Sequence, residues 1–162
     1  MVGLLDNKRN VPQADTEKLF NAGISYMQNG EYAFAFYCFD RMGKSDIYNL
    51  YNKALCCHCI AWFSECHTLL KEADKLLPSG MDCRLRELPE MFMCWEHERC
   101  TPLSPMPVGT PLQVTAIQML ILKVENAYRM HLYGEVRNIA ARLGGRYKRI
   151  DELLKMIDDD NV

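Results

Sequence analysis

The sequence has no stretch approaching the roughly 20 consecutive apolar residues that a membrane-spanning helix needs, so no membrane is expected as a partner. It has no excess of charge of one sign. Its formal net charge of −2 offers no general attraction to nucleic acid or to an anionic surface. No segment alternates apolar and polar residues with a period of two, so no sheet is expected. Phosphate-cradling glycine loops are missing too, because Gly144 and Gly145 stand without the further glycine and lysine of such loops. The acidic residues Glu87, Glu90, Glu96 and Glu98 lack the Glu-x-x-His spacing of a di-metal carboxylate site. Cys66 and His67 are the best nucleophile and base on offer, but neighbours on a helix diverge and no oxyanion donors accompany them. The chain is therefore expected not to be an enzyme and to need no cofactor. Its first ten residues hold no apolar core and carry Asp6, Lys8 and Arg9, so no export signal is expected.

What is present is an ordinary globular composition. Of the 162 residues 49% are hydrophobic and 25% charged, enough to bury a real core in one domain. The eight cysteines cluster at Cys38, Cys56, Cys57, Cys59, Cys66, Cys83, Cys94 and Cys100. Most fall in apolar helical runs, where a reduced thiol acts as a small core residue; a cytoplasmic location is expected. Proline is sparse except between residues 101 and 111, which hold four of the seven.

Along the chain, residues 1–14 form a flexible lead-in and Asp15 is the expected cap of a first helix. Leu19, Ala22, Gly23 and Tyr26 recur at helical spacing, as do Phe20, Ile24 and Met27 on an adjacent face. Asn29 and Gly30 stop that helix. Tyr32, Ala35, Phe36, Phe39 and Met42 form the buried stripe of a second. Ile47, Leu50, Ala54, Cys57 and Ala61 step by three and four through a third. Trp62, Cys66, Leu69, Leu70, Ala73, Leu76 and Leu77 continue the pattern through a fourth, with the break near Ala61 and Trp62 fixed only to within a few residues. Residues 79–100 read as an irregular third helical stretch and 101–111 as a proline-rich linker. Thr110, Pro111 and Gln113 have the pattern of a capping box. The chain then reads as a helical hairpin plus a capping helix over 112–157, with a turn near Tyr133 and Gly134. The expected fold is all-α, of antiparallel helical hairpins and no sheet.

In the first hairpin Gly23, Tyr26, Gly30, Tyr32, Ala35 and Phe39 stand at the spacings of the tetratricopeptide (TPR) signature, and residues 15–78 resemble two such repeats. Ala54, Cys57, Ala61, Cys66, Leu70, Ala73 and Pro78 give the second, offset by 31 residues where about 34 is usual. A weaker third register takes Ala127, Met130, Gly134, Ile139 and Leu143. The resemblance implies a short right-handed superhelix whose first helices line a groove that binds a peptide or helix of another protein. Matching positions would line it with Phe20, Ile24 and Met27, then Tyr48, Tyr51, Leu55 and His58, then Val124, Tyr128 and His131. Ile24 and Leu55 stand where a clamp for a C-terminal carboxylate would need polar groups. The occupant expected is thus an amphipathic helix, or a second copy of the chain, for an adaptor or regulatory subunit. The same apolar residues could instead pack against residues 79–100, which would fill the groove.

Two rival readings stand beside this one. Ile139, Ala140, Gly144, Ile150 and Leu153 resemble a helix-turn-helix, in which Arg146, Tyr147, Lys148 and Arg149 would meet DNA. Gly145 stands where an apolar residue normally packs, and Asp151 and Glu152 would face the phosphates. The segment serves equally as a closing hairpin with a solvated basic face, so nucleic acid is not the expected partner. Cys83, Cys94, His97 and Cys100 carry ligand types of a structural zinc site, though without a pair of ligand knuckles. Free thiols are the expected state.

Overall fold

A computed structural model of the chain describes residues 12–81, 83, 104–144 and 147–161, and every regular element among them is a helix. These are α1 (Gln13–Gln28), α2 (Tyr32–Arg41), α3 (Ile47–Cys59), α4 (Phe63–Lys75), α5 (Leu112–Arg129), α6 (Tyr133–Leu143) and α7 (Lys148–Asp159). Each helix packs on the next in sequence, while α3 also touches α5 and α5 touches α7. The result is three stacked hairpins, α1/α2, α3/α4 and α5/α6, closed by α7.

The three hairpins turn in the same way. Each first helix ends in a residue near the bridge region (Asn29, Ile60, Met130), and each second helix is capped at φ about −85° to −90° by Glu31, Trp62 or Leu132. Between them stands one left-handed residue: Gly30 at φ 76°, Ala61 at 63° and His131 at 59°. The turns close with matching hydrogen bonds: Glu31 N–H to the Tyr26 carbonyl at 2.8 Å, Trp62 to Cys57 at 2.8 Å and Leu132 to Ala127 at 2.9 Å. These are six-to-one bonds that satisfy otherwise orphaned helix-end carbonyls. The offset of 31 between the first two registers coincides with this geometry. The third register does not: His131, not Gly134, occupies the left-handed site, so the third hairpin is set three residues earlier than its sequence match. Gly134 lies within α6 with open space around it.

Other boundaries also move. Pro12, rather than Asp15, precedes α1, and Asp15 sits in the first turn, where its charge favours the helix dipole. Pro111, not Thr110, is the N-cap of α5; the Thr110 hydroxyl donates instead to the Pro107 carbonyl at 2.7 Å. Asp46 does cap α3, accepting from the Asn49 N–H at 2.9 Å.

Packing where two helices of a hairpin cross follows a volume trade. A Cβ placed on Gly23 would stand 2.6 Å from the Phe39 ring, so only glycine admits that ring at the crossing. The equivalent buried positions hold Ala54 with Leu70 and Val124 with Ala140. As the first-helix residue grows, its counterpart shrinks, which preserves packing density.

The ends of the stack are polar. Lys18, Asn21 and Ser25 are exposed on one face of α1, whereas their equivalents Asn49, Asn52 and Cys56 in α3 and Met119, Leu122 and Asn126 in α5 are buried against neighbours. At the other end α7 buries Ile150, Leu153 and Ile157 and exposes Lys148, Asp151, Glu152 and Lys155. Asp74 ties the last three stacked helices: its carboxylate takes both Arg142 nitrogens at 2.9 and 3.0 Å and Lys123 Nζ at 2.7 Å. Burial alone would raise its pKa, but these hydrogen bonds and charges outweigh it and hold the carboxyl at about 2.

Two outcomes follow. Ala61→Gly removes a left-handed alanine costing about 1–2 kcal/mol against a smaller gain in unfolded-chain entropy, so it should stabilise the chain by about 0.5–1 kcal/mol in urea denaturation. An unchanged or lower midpoint would contradict the turn geometry. Asp74 is depressed below its unfolded pKa of about 3.9, so its contribution is complete above about pH 5 and is lost as pH falls through its folded value of about 2. Asp74→Asn should cost about 1–2 kcal/mol at pH 7 after allowance for solvent screening. The loss should shrink as pH falls below about 5 and vanish only near pH 1, below both pKa values, as read by denaturation at a series of pH values.

Candidate partner-binding site

Most of the residues expected to line an open groove are at least half covered. Met27, Tyr51, Leu55 and Val124 are buried, Phe20, Ile24, Tyr48, His58 and Tyr128 are half-buried, and His131 is exposed. What covers α3 is the segment expected to be a linker. Residues 104–110 contain no helix, as their prolines require, but they lie against α3 rather than free in solvent. Met106 is fully buried.

The contacts are mostly to main chain. Asn52 donates through Nδ2 to the Met106 carbonyl at 3.0 Å and accepts the Met106 N–H on Oδ1 at 2.8 Å. The Tyr51 hydroxyl donates to the Ser104 carbonyl at 3.2 Å, and the Tyr48 hydroxyl to the Thr110 carbonyl at 3.0 Å. Burial pushes the Tyr51 phenol well above its usual range, so it remains a donor at any ordinary pH. Asn52 is the residue that sequence reasoning missed. Its signal was its spacing, four residues after Tyr48 and three before Leu55, which puts an amide among the expected groove residues, where once buried it must find partners. Beyond the segment a hollow of about 480 Å³ continues between Phe20, Met42, Asn49, Pro107 and Val108.

At the α5 end the expected groove residues serve the scaffold. His58 Nδ1 stands 3.1 Å from Asn126 Oδ1, and Asn126 donates to the Phe63 carbonyl at 2.9 Å. Tyr128 packs on Tyr133, whose hydroxyl lies 2.8 Å from His131 Nδ1.

A second surface went unread. On the outer face of the first hairpin, Phe34 is 62% and Tyr37 57% exposed. Tyr26 packs on Phe34 with ring centroids 5.5 Å apart. Arg41 donates to the Tyr37 hydroxyl at 2.8 Å and lies over its ring. The three aromatic positions hold Cys57, Glu65 and Thr68 in the second hairpin and Ala127, Glu135 and Asn138 in the third. The signal was in the sequence: α2 carries five aromatics, more than one helix face can bury.

Of the residues read as DNA contacts, Tyr147 is buried, Lys148 is exposed and Arg146 lies outside the described residues. Arg149 is held by Glu125, Nε to Oε1 at 2.7 Å. Arg142 is taken by Asp74 and Arg137 by Asp158, so carboxylates occupy much of the expected basic face. Among the zinc candidates Cys83 is buried, while Cys94, His97 and Cys100 lie outside the described residues. No group of three or more His, Cys, Asp or Glu stands ready for a metal among the described residues. Burial raises the thiols of Cys56, Cys57 and Cys66, that of Cys57 to about 12, which makes them poor nucleophiles. No described helix is long and apolar enough to cross a membrane. Compared with known proteins, the chain matches no family model, no curated protein and no solved structure.

Proposed function

We propose that this chain is a TPR-like, non-enzymatic protein-interaction module, an adaptor or regulatory subunit, that docks a partner protein on the outer aromatic face of its first hairpin. The observation that carries this reading is the cluster of Tyr26, Phe34, Tyr37 and Arg41. Aromatics and arginine are the residue types enriched at the energetic centre of protein interfaces. Two of these rings are more than half exposed, at positions that are polar in both other hairpins of the same stack. An aromatic ring left in water at a site where glutamate serves the fold equally well contributes to something other than folding. The TPR likeness draws support from the shared left-handed turn and the volume trade at the hairpin crossings. Cys38, Cys56, Cys57 and Cys66 are buried as small apolar core residues, a role suited to thiols in a reducing, cytoplasmic setting.

The test is a double variant, Phe34→Ser with Tyr37→Ser, in a chain used to isolate partners from its source cells. Both side chains are exposed, so stability should change little. A partner held by the wild-type chain should lose roughly 10- to 100-fold in affinity, the range of a hot-spot pair. A partner that binds the folded double variant as tightly as wild type would remove the proposal.

A further inference from the structure

At the edge shared by α4, α5 and α6, a hollow of about 590 Å³ is lined by Lys71, Lys75, Lys123 and Arg142, with Asp74 the one carboxylate among the described residues around it. That volume is in the range of small-molecule sites. Lys71 and Lys75 stand four residues apart on one face of α4, both exposed, and neither makes an ion pair among the described residues. Lys123 and Arg142 come from the next two helices and are fixed on Asp74, which offsets only one of their two charges. Each keeps N–H groups that the carboxylate does not take, because a lysine has three and an arginine five. The positive field is strong enough to hold the partly buried Asp74 carboxyl at about 2. Like charges four apart on a helix are mildly destabilising, and two more cations line the same hollow. A glutamate at either lysine position would suit the fold better, so this concentration of charge is matched to something other than folding.

We propose that this hollow binds a small soluble molecule carrying a phosphate monoester, its dianionic phosphoryl group held by Lys71, Lys75 and the unused donors of Lys123 and Arg142. The cations converge on one recess instead of running along a face, which suits a compact anion and not a polyanion. Their excess over Asp74 is more than a carboxylate or a sulfate ester neutralises. A phosphate monoester brings close to two charges at neutral pH and three strong acceptor oxygens. Leu77, Pro78 and Met81, from the segment after α4, add an apolar wall for the organic part of the ligand. Asp74 has a positioning role. It takes both Arg142 nitrogens and Lys123 Nζ, so these donors are ordered before a ligand arrives and less entropy is lost on binding.

The experiment titrates the full chain with phenyl phosphate in low-salt buffer at about pH 7.5, where the probe is a dianion, and reads binding by calorimetry. Phenyl sulfate, of the same shape with one charge fewer, is the comparison. The expected result is saturable one-to-one binding of phenyl phosphate, about tenfold or more tighter than phenyl sulfate. Lys71→Gln with Lys75→Gln should weaken it by at least about tenfold. Both side chains are exposed, so this variant should keep the wild-type circular dichroism and melting. Lys148→Gln with Lys155→Gln, exposed on α7, should leave the affinity unchanged. Vesicles containing phosphatidic acid present the same monoester on a lipid and should retain the chain no better than neutral vesicles. No saturable binding, equal affinity for phenyl sulfate, or undiminished affinity in the folded Lys71 and Lys75 double variant would each overturn the proposal. So would retention by those vesicles with no binding of phenyl phosphate, which would put the phosphoryl group on a membrane instead. The aromatic face takes no part, so Phe34→Ser with Tyr37→Ser should leave phenyl phosphate binding unchanged.

Discussion

The amide of Asn52 bridging both main-chain atoms of Met106 is the constraint on which the inner half of the structure depends. A segment without helix or sheet cannot satisfy its own backbone, so burying it is costly unless something else supplies the partners. Asn52 is itself fully buried and has the mirror-image need. Each resolves the other's desolvation. A hydrogen bond of this kind contributes only about 1 kcal/mol net, whereas leaving either group buried and alone costs about 1–3 kcal/mol. The pairing therefore behaves as a unit. It places the Met106 side chain in the core and delivers the chain to Pro111 at the start of α5.

Among the described residues, the stack around this bridge is polar at both ends. Its first helix presents Lys18, Asn21 and Ser25 where α3 and α5 bury their equivalents, and its last presents the charged face of α7. Polar ends of this kind stay solvated at little cost. They also explain why the exposed aromatics of the first hairpin are unexpected: they lie on the outer side of a stack whose ends are otherwise covered by polar groups. Asp74, shared by Lys123 and Arg142, holds α4, α5 and α6 at their common edge. That pairing takes two of the chain's cations out of play for any polyanion.

Much of the fold was legible because helices announce themselves by period. The stripes through α1 to α4 and the turn at Gly30 follow from apolar spacing and helix stops, whereas Ala61, read as the end of the third stripe, is exposed in the left-handed turn after α3. The third hairpin was misplaced by three residues because a glycine was sought at the left-handed position. His131 holds it instead, braced by Tyr133, and Gly134 is an ordinary helical residue. The site was less legible for a related reason. Composition marks residues 101–111 as extended but is silent on whether an extended chain is free or seated. Tyr48 and Tyr51 face the segment 104–110; what spacing could not reveal is that their hydroxyls are engaged by its carbonyls. The zinc candidates Cys94, His97 and Cys100, with residues 84–103 as a whole, lie outside the described residues.

The claim at the centre of this account is that the proline-rich segment is seated on α3 through Asn52. Amide hydrogen exchange at Met106 tests it most directly. Pro105 and Pro107 have no N–H, so the Met106 signal stands clear of its immediate neighbours. With its N–H bonded to Asn52 Oδ1 and buried, that amide should exchange at least about 100-fold more slowly than in an unstructured peptide, on the scale of the α3 amides. Exchange at the free-peptide rate would contradict the account: the segment would then be a linker, and the inner face open.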